Sequence, residues 1–181
     1  MYQYPHKNIR LSPSNYLGQQ TYFVTSCCYA RRKIFSDPRR CQWLLDVLRV
    51  ESTVRGFVIH AYCIMPDHLH LLAEGLAEHS DFLNFIKVFK IKTSRRCAGQ
   101  LNQPLWQKKY FDHILRPNES IDTVAWYIWL NPVRAGLAAE AGVFPFAGSF
   151  TTVIPKTHFF PETWTPPPQS KNRPPQKAAA T

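Results

Sequence analysis

The sequence predicts an α+β fold: a small antiparallel sheet of ferredoxin/RRM-like order with helices packed on it. Three observations carry that expectation. Short runs rich in aromatic and β-branched residues alternate with stretches of helical apolar spacing. Two of the strand-like runs are separated by only three residues, Met65-Pro66-Asp67, so an antiparallel hairpin is their natural pairing. The resulting order, β-α-β-β-α-β-α, is that of a split βαβ unit with helices on one face of the sheet.

Residues 1–15 carry Pro5 and Pro13 and read as an irregular N-terminal arm before a domain over 16–150. Residues 22–29 form the first β-rich run, followed directly by Arg31, Arg32 and Lys33. Asp37-Pro38 then opens a helix through Cys41, Leu44, Leu45 and Leu48, where Pro suits the first turn. Residues 57–64 make the second strand and 68–74 the third. Ser80-Asp81 supplies an N-cap, and Phe82, Phe85, Ile86 and Phe89 recur at i, i+3, i+4, i+7, one face of a helix. After a loop over 99–104, residues 106–115 read as a fourth strand carrying Asp112 and His113. Pro117 ends it, and a helix runs from about Ile121 to Leu130. Residues 151–181 are Pro-rich and read as a peripheral or disordered tail.

The chain has 181 residues, 45% apolar and 14% aromatic, which fits one folded domain rather than a disordered chain. With 22 Lys+Arg against 12 Asp+Glu it carries a net charge of +10. Such an excess favours a polyanionic partner, nucleic acid before membrane. Lys87, Lys90, Lys92, Arg95 and Arg96 crowd the second helix, with only Asp81 near its start to oppose them. That face is either a solvated charged surface or a phosphate-contacting one. Five cysteines, an odd number without a Cys-x-x-Cys, and no recognisable signal peptide point to reduced thiols in the cytoplasm. No apolar run approaches the roughly 18 to 20 residues of a membrane span.

Chemistry concentrates in Pro66-Asp67-His68-Leu69-His70-Leu71-Leu72. On a strand, His68 and His70 share one face while Leu69 and Leu71 point to the other. Two imidazoles side by side are half of a metal site, or a coincidental pair on a half-exposed strand. On the last helix, Ile121, Val124, Ala125 and Ile128 form the apolar stripe, with Tyr127 and Asn131 stacked at its margin. Tyr127 reads as a core-edge residue or as a nucleophile. Asn131, followed by Pro132, reads as an N-cap or as a metal ligand. A tyrosine phenolate can attack a phosphodiester and retain its bond energy as a phosphotyrosine, so the strand can be rejoined without ATP. Mg²⁺ or Mn²⁺ on two imidazoles and an amide oxygen would polarise the phosphate. His60 reads as structural and Asp67 as a turn residue. Asp112 and His113 remain open, and Arg134 would anchor a helix end or a phosphate. Trp106, Tyr110, Trp126 and Trp129 fit either base stacking or packing.

At these residues the chain resembles a known family. Pro66-Asp67-His68-Leu69-His70 looks like the His-hydrophobe-His motif of the HUH nucleases. Tyr127 to Asn131, continued by Pro132-Val133-Arg134-Ala135-Gly136-Leu137, looks like the tyrosine-helix signature of the single-tyrosine transposases. With Tyr22-Phe23-Val24-Thr25, Trp106-Gln107 and Asp112-His113, the pattern is similar to the REP-associated tyrosine transposases over roughly residues 16 to 150. The resemblance implies an HUH palm fold and metal-dependent nicking and joining of single-stranded, hairpin-forming DNA through a 5′-phosphotyrosine. It makes His68, His70 and Asn131 metal ligands, Tyr127 the nucleophile, and Lys87, Lys90, Arg95, Arg96 and Arg134 DNA contacts. It also implies a nucleoid-associated protein of bacterial type, working as a monomer or a homodimer. The alternative is a domesticated hairpin-DNA-binding protein without productive transposition.

Overall fold

The computed structural model describes residues 12–155 and 164–167. The elements run β1 (Thr21–Cys27), α1 (Pro38–Val54), β2 (Phe57–Met65), β3 (His68–Gly75), α2 (Phe82–Arg96), β4 (Phe111–Ile114), α3 (Ile121–Trp129), α4 (Asn131–Arg134) and β5 (Ala147–Gly148). One antiparallel sheet has the order β4-β1-β3-β2-β5. The first four strands follow the expected split βαβ arrangement, with β3 between β1 and β2 at the centre.

The expected caps form. Asp37 accepts from the Arg39 backbone N–H at the start of α1, and Asp81 accepts from that of Asn84 at the start of α2. Ser80 instead bonds the Gly56 carbonyl and the Ala77 amide, tying the α2 entry to the start of β2.

Helices cover both faces of the sheet, not one. Against α1 and α2 lie Tyr22, Val24, Leu69, Leu71 and Ala73, packed on Leu44, Leu48, Phe82, Phe85, Ile86 and Phe89. The opposite face, Phe23, Ala61, Cys63, Met65 and Leu72, is closed by Val124, Ala125, Ile128 and Trp129 around α3. A bulge lets β2 serve both cores. The β2–β3 register shifts between Ile59 and Ala61, so Ile59 joins the first core and Ala61 the second, with His60 as the extra residue.

The fourth strand is shorter than the sequence suggests. Residues 106–110 lie outside it: Trp106 makes an isolated bridge to Cys28, and its indole N–H is buried on the Thr93 hydroxyl. That apolar anchor fixes the segment without a ladder. The arm and tail also differ from expectation where they are described. Pro13–Tyr16 forms a 3-10 turn that buries Tyr16. Trp164, within the tail, packs on the α3 core. Residues 1–11, 156–163 and 168–181 of these segments lie outside the described residues. Strand β5 lies in a stretch without strand-like alternation: a Cβ on Gly148 would sit 2.5 Å from the Tyr62 hydroxyl, so a side chain there would have to displace the Tyr62 ring.

Candidate active site: a histidine pair beside a tyrosine

Strand alternation places His68 and His70 on the α3 face of β3, with Leu69 and Leu71 in the opposite core, as the sequence implies. Their Nε2 atoms converge to 3.0 Å. Adjacent corners of an octahedron with bonds of about 2.1 Å lie about 3.0 Å apart, so the pair fits two neighbouring positions around one small cation. Each Nδ1 is held from behind. Asp67 Oδ1 lies 2.5 Å from His68 Nδ1, and Thr25 Oγ1 lies 2.9 Å from His70 Nδ1. With Asp67 accepting the Nδ1–H, the His68 Nε2 lone pair is aimed at the shared point. Asp67 is therefore more than the turn residue its sequence position suggests. Thr25 stands directly opposite His70 in the β1–β3 register, so β1 is its source.

Burial lowers the pKa of both imidazoles, most strongly for His70. For His68 the hydrogen bond to Asp67 opposes that effect without reversing it. At His70 the positive charges of His68, Arg134 and Arg31 push further in the same direction. Both rings are thus biased toward the neutral form that binds metal. Among the described residues no three His, Cys, Asp or Glu side chains cluster as a metal site.

Tyr127 meets this pair from α3. Its ring lies edge-on to His70 with 6.4 Å between centroids, and edge-on to Phe23 at 5.9 Å and Trp164 at 5.2 Å. The Arg134 guanidinium sits 4.3 Å from the Tyr127 ring centroid and donates to the Tyr127 carbonyl at 2.7 Å. Arg134 thus anchors the end of α3, one of its two expected roles.

The capping reading of Asn131 does not hold. Leu130, in helical conformation, is the residue before α4, and Asn131 makes no side-chain cap there. Its Nδ2 instead donates back to the carbonyls of Tyr127 and Ile128, at 3.1 and 3.2 Å, closing α3. That orientation leaves Oδ1 without a hydrogen bond among the described residues. The following Ala135-Gly136-Leu137 has a local cause as well. The amides of Gly136 and Leu137 bond the carbonyls of Val133 and Pro132, a Schellman turn that needs the positive φ of Gly136, 68°.

The other candidates separate. Asp112, on the opposite face, accepts the Tyr16 hydroxyl in the first core, and His113 is paired with Glu119 at 2.7 Å. His60 pairs with Glu74 at 2.6 Å. Trp106 and Trp129 are buried with bonded indole N–H groups, so they pack rather than stack bases. On α2, which lies across the sheet from the His pair, Lys87, Arg95 and Arg96 are exposed. Lys90 donates to the Gln107 carbonyl, and Lys92 is paired with buried Glu51 of α1, an acid the linear sequence did not set against that helix. The five cysteines are unpaired, four of them buried, and burial raises the thiols of Cys28, Cys41 and Cys63 to about 12.

Residues 17–131, which hold every element from β1 to α3, match the family described as IS200-like transposases. The chain belongs to this family. Among its relatives, the REP-associated tyrosine transposase of Escherichia coli K12 is 27% identical over 132 residues, covering 73% of this chain and 78% of that protein. A solved structure described as the REP-associated tyrosine transposase bound to a REP hairpin superposes with a TM-score of 0.61 at 22% identity. It covers 81% of this chain and 82% of that one, and so shares the transposase fold. No described helix is long and apolar enough to cross a membrane. Within this IS200-like domain, sequence reasoning missed Thr25, Phe23 and Trp164 as neighbours of the site. The β1–β3 register alone could have found the first two. Nothing in the sequence marked Trp164.

Proposed function

We propose that this protein nicks and rejoins single-stranded, hairpin-forming DNA, with Tyr127 as nucleophile and Mg²⁺ or Mn²⁺ held by His68, His70 and Asn131. The observation that carries this reading is the convergence of two Nε2 atoms next to a tyrosine on an adjoining helix. The hairpin substrate is suggested by the relative described as bound to a REP hairpin.

Tyr127 Oη would attack the phosphorus, forming the O–P bond as the bond to the 3′ oxygen breaks. The phenolic proton is lost and the leaving 3′ oxygen gains one, so a 5′-phosphotyrosine and a free 3′ hydroxyl result. Attack by a 3′ hydroxyl reverses the step and conserves one phosphodiester-type bond throughout. A bound cation supplies charge neutralisation at the non-bridging oxygens. Asp67 and Thr25 keep the imidazoles aimed, and Arg134 fixes the carbonyl end of α3 beneath the nucleophile. With the His70 and Tyr127 rings of one chain 6.4 Å apart between centroids, a single chain would hold both halves of the site. Exposed Lys87, Arg95 and Arg96 on the far face would hold phosphates of the hairpin, so affinity should fall steeply with salt.

Incubation of a labelled hairpin oligonucleotide with Mn²⁺, Mg²⁺ or chelator tests the reading. Cleavage that needs the metal and leaves a denaturant-resistant protein–DNA adduct supports it. Tight binding with no cleavage under any of these conditions would make the protein a hairpin binder instead.

A further inference from the structure

We propose that Arg31 is a phosphate-binding residue of this site, resting on Asp67 in the free protein and turning onto a DNA phosphodiester when a strand lies across His68 and His70. The proposal rests on the strand-transfer reading above and adds to it a cation that neither the family match nor the sequence motifs assign.

Arg31 Nη1 lies 3.3 Å from Asp67 Oδ2, while Oδ1 of the same carboxylate holds His68 Nδ1. The guanidinium is therefore one side chain removed from a candidate ligand. The side chain is 56% exposed and that of Asp67 26% exposed, so the pair is screened and cheap to exchange for another anion. Asp67 is the negative group behind the pair, in contact with both His68 and Arg31. An incoming phosphodiester would compete with it for the fork of N–H donors that suits a phosphate.

The backbone is shaped to hold the side chain there. Ala30 and Arg31, with φ of 53° and 54°, are the only non-glycine residues with positive φ among those described. Left-handed backbone favours glycine, so a bulky residue at this position is kept at a local cost. The turn is pinned on both sides. Arg31 N–H bonds the Cys28 carbonyl, Cys28 N–H bonds the Asp67 carbonyl, and the Arg32 guanidinium bonds the Pro104 carbonyl at 2.6 Å. Arg32 is thus committed to the loop and does not substitute for Arg31. Across the site the Arg134 guanidinium donates to the Tyr127 carbonyl, whereas the Arg31 guanidinium has its ion pair with Asp67 behind His68.

Arg31→Gly tests this directly, because glycine accepts the left-handed turn and the fold is retained. In a Tyr127→Phe background, which does not cleave, binding of a short single-stranded oligonucleotide with Mn²⁺ is measured by fluorescence anisotropy over a salt series. Arg31→Gly should lower affinity about tenfold, the loss of one charged hydrogen-bonding group. It should also make the log–log salt slope shallower by about 0.7, one phosphate contact on a single strand. Arg31→Lys should fall between, and melting temperature and Mn²⁺ affinity should not drop. Unchanged affinity and slope would overturn the proposal. So would a loss of Mn²⁺ affinity matching that of Asp67→Asn with an unchanged slope, since Arg31 would then only support Asp67. The strand-transfer reading fails separately, by absence of an adduct in the unmutated protein.

Discussion

The Tyr127 ring stands edge-on to His70, with 6.4 Å between centroids, although the two residues are 57 positions apart and on different elements. Two short features achieve this. The β1–β3–β2 ladder presents the imidazoles on the α3 face, and Ile128, Val124 and Ala125 seat α3 on Leu72, Ala61 and Cys63 of the same face.

Asp67→Asn should weaken Mn²⁺ binding about 10- to 100-fold, the usual consequence of losing a carboxylate behind a ligating imidazole. Isothermal titration of the two proteins checks it. Equal affinities would mean that Asp67 serves the turn alone.

Acidification should destabilise the protein through His70. Its folded pKa is lowered by burial, so the unfolded chain binds the proton first as pH falls. The stability contributed by the neutral ring is full above the unfolded value of about 6.5. It is lost progressively as pH falls from there through the folded pKa. Urea unfolding across that range, compared with His70→Gln, should show a shallower pH dependence in the variant.

Phe23→Ala should cost about 3–5 kcal/mol, since a fully buried ring is removed from the second core. That ring touches His70, Tyr127, Phe111 and Trp164, so the change also loosens the site. Chemical denaturation measures the first effect. A loss below about 1 kcal/mol would contradict the packing described.

Trp164 stacks edge-on against both Tyr127 and Phe23 and bonds Glu119 Oε1 at 2.8 Å. In this position the indole lies against the ring of the proposed nucleophile. Trp164→Ala should therefore raise the rate of adduct formation several-fold, read on gels against time. A lowered rate would make the indole part of the DNA-binding surface.

Local signals account for what the sequence revealed. The Asp37 and Asp81 caps, the Pro66-Asp67 turn and the apolar spacing of α2 and α3 each act within a few residues, and the elements formed as expected. The His pair on one strand face was equally legible, because alternation alone places it. Long-range features were not legible. The bulge at His60 exists because two cores compete for β2, and the β5 pairing depends on the missing side chain of Gly148 against Tyr62. Asn131 shows a third kind of limit. Its neighbour Pro132 suggested a cap, but α3 and α4 follow each other so closely that the amide turns back onto α3.

Peptide mapping of the adduct tests the central claim most directly. After Mn²⁺-dependent reaction with hairpin DNA, nuclease trimming and proteolysis, the nucleotide remnant should lie on the peptide carrying Tyr127, linked through its phenolic oxygen. Tyr127→Phe should yield no adduct. A remnant on another residue, or an equal yield from Tyr127→Phe, would contradict the assignment of the nucleophile.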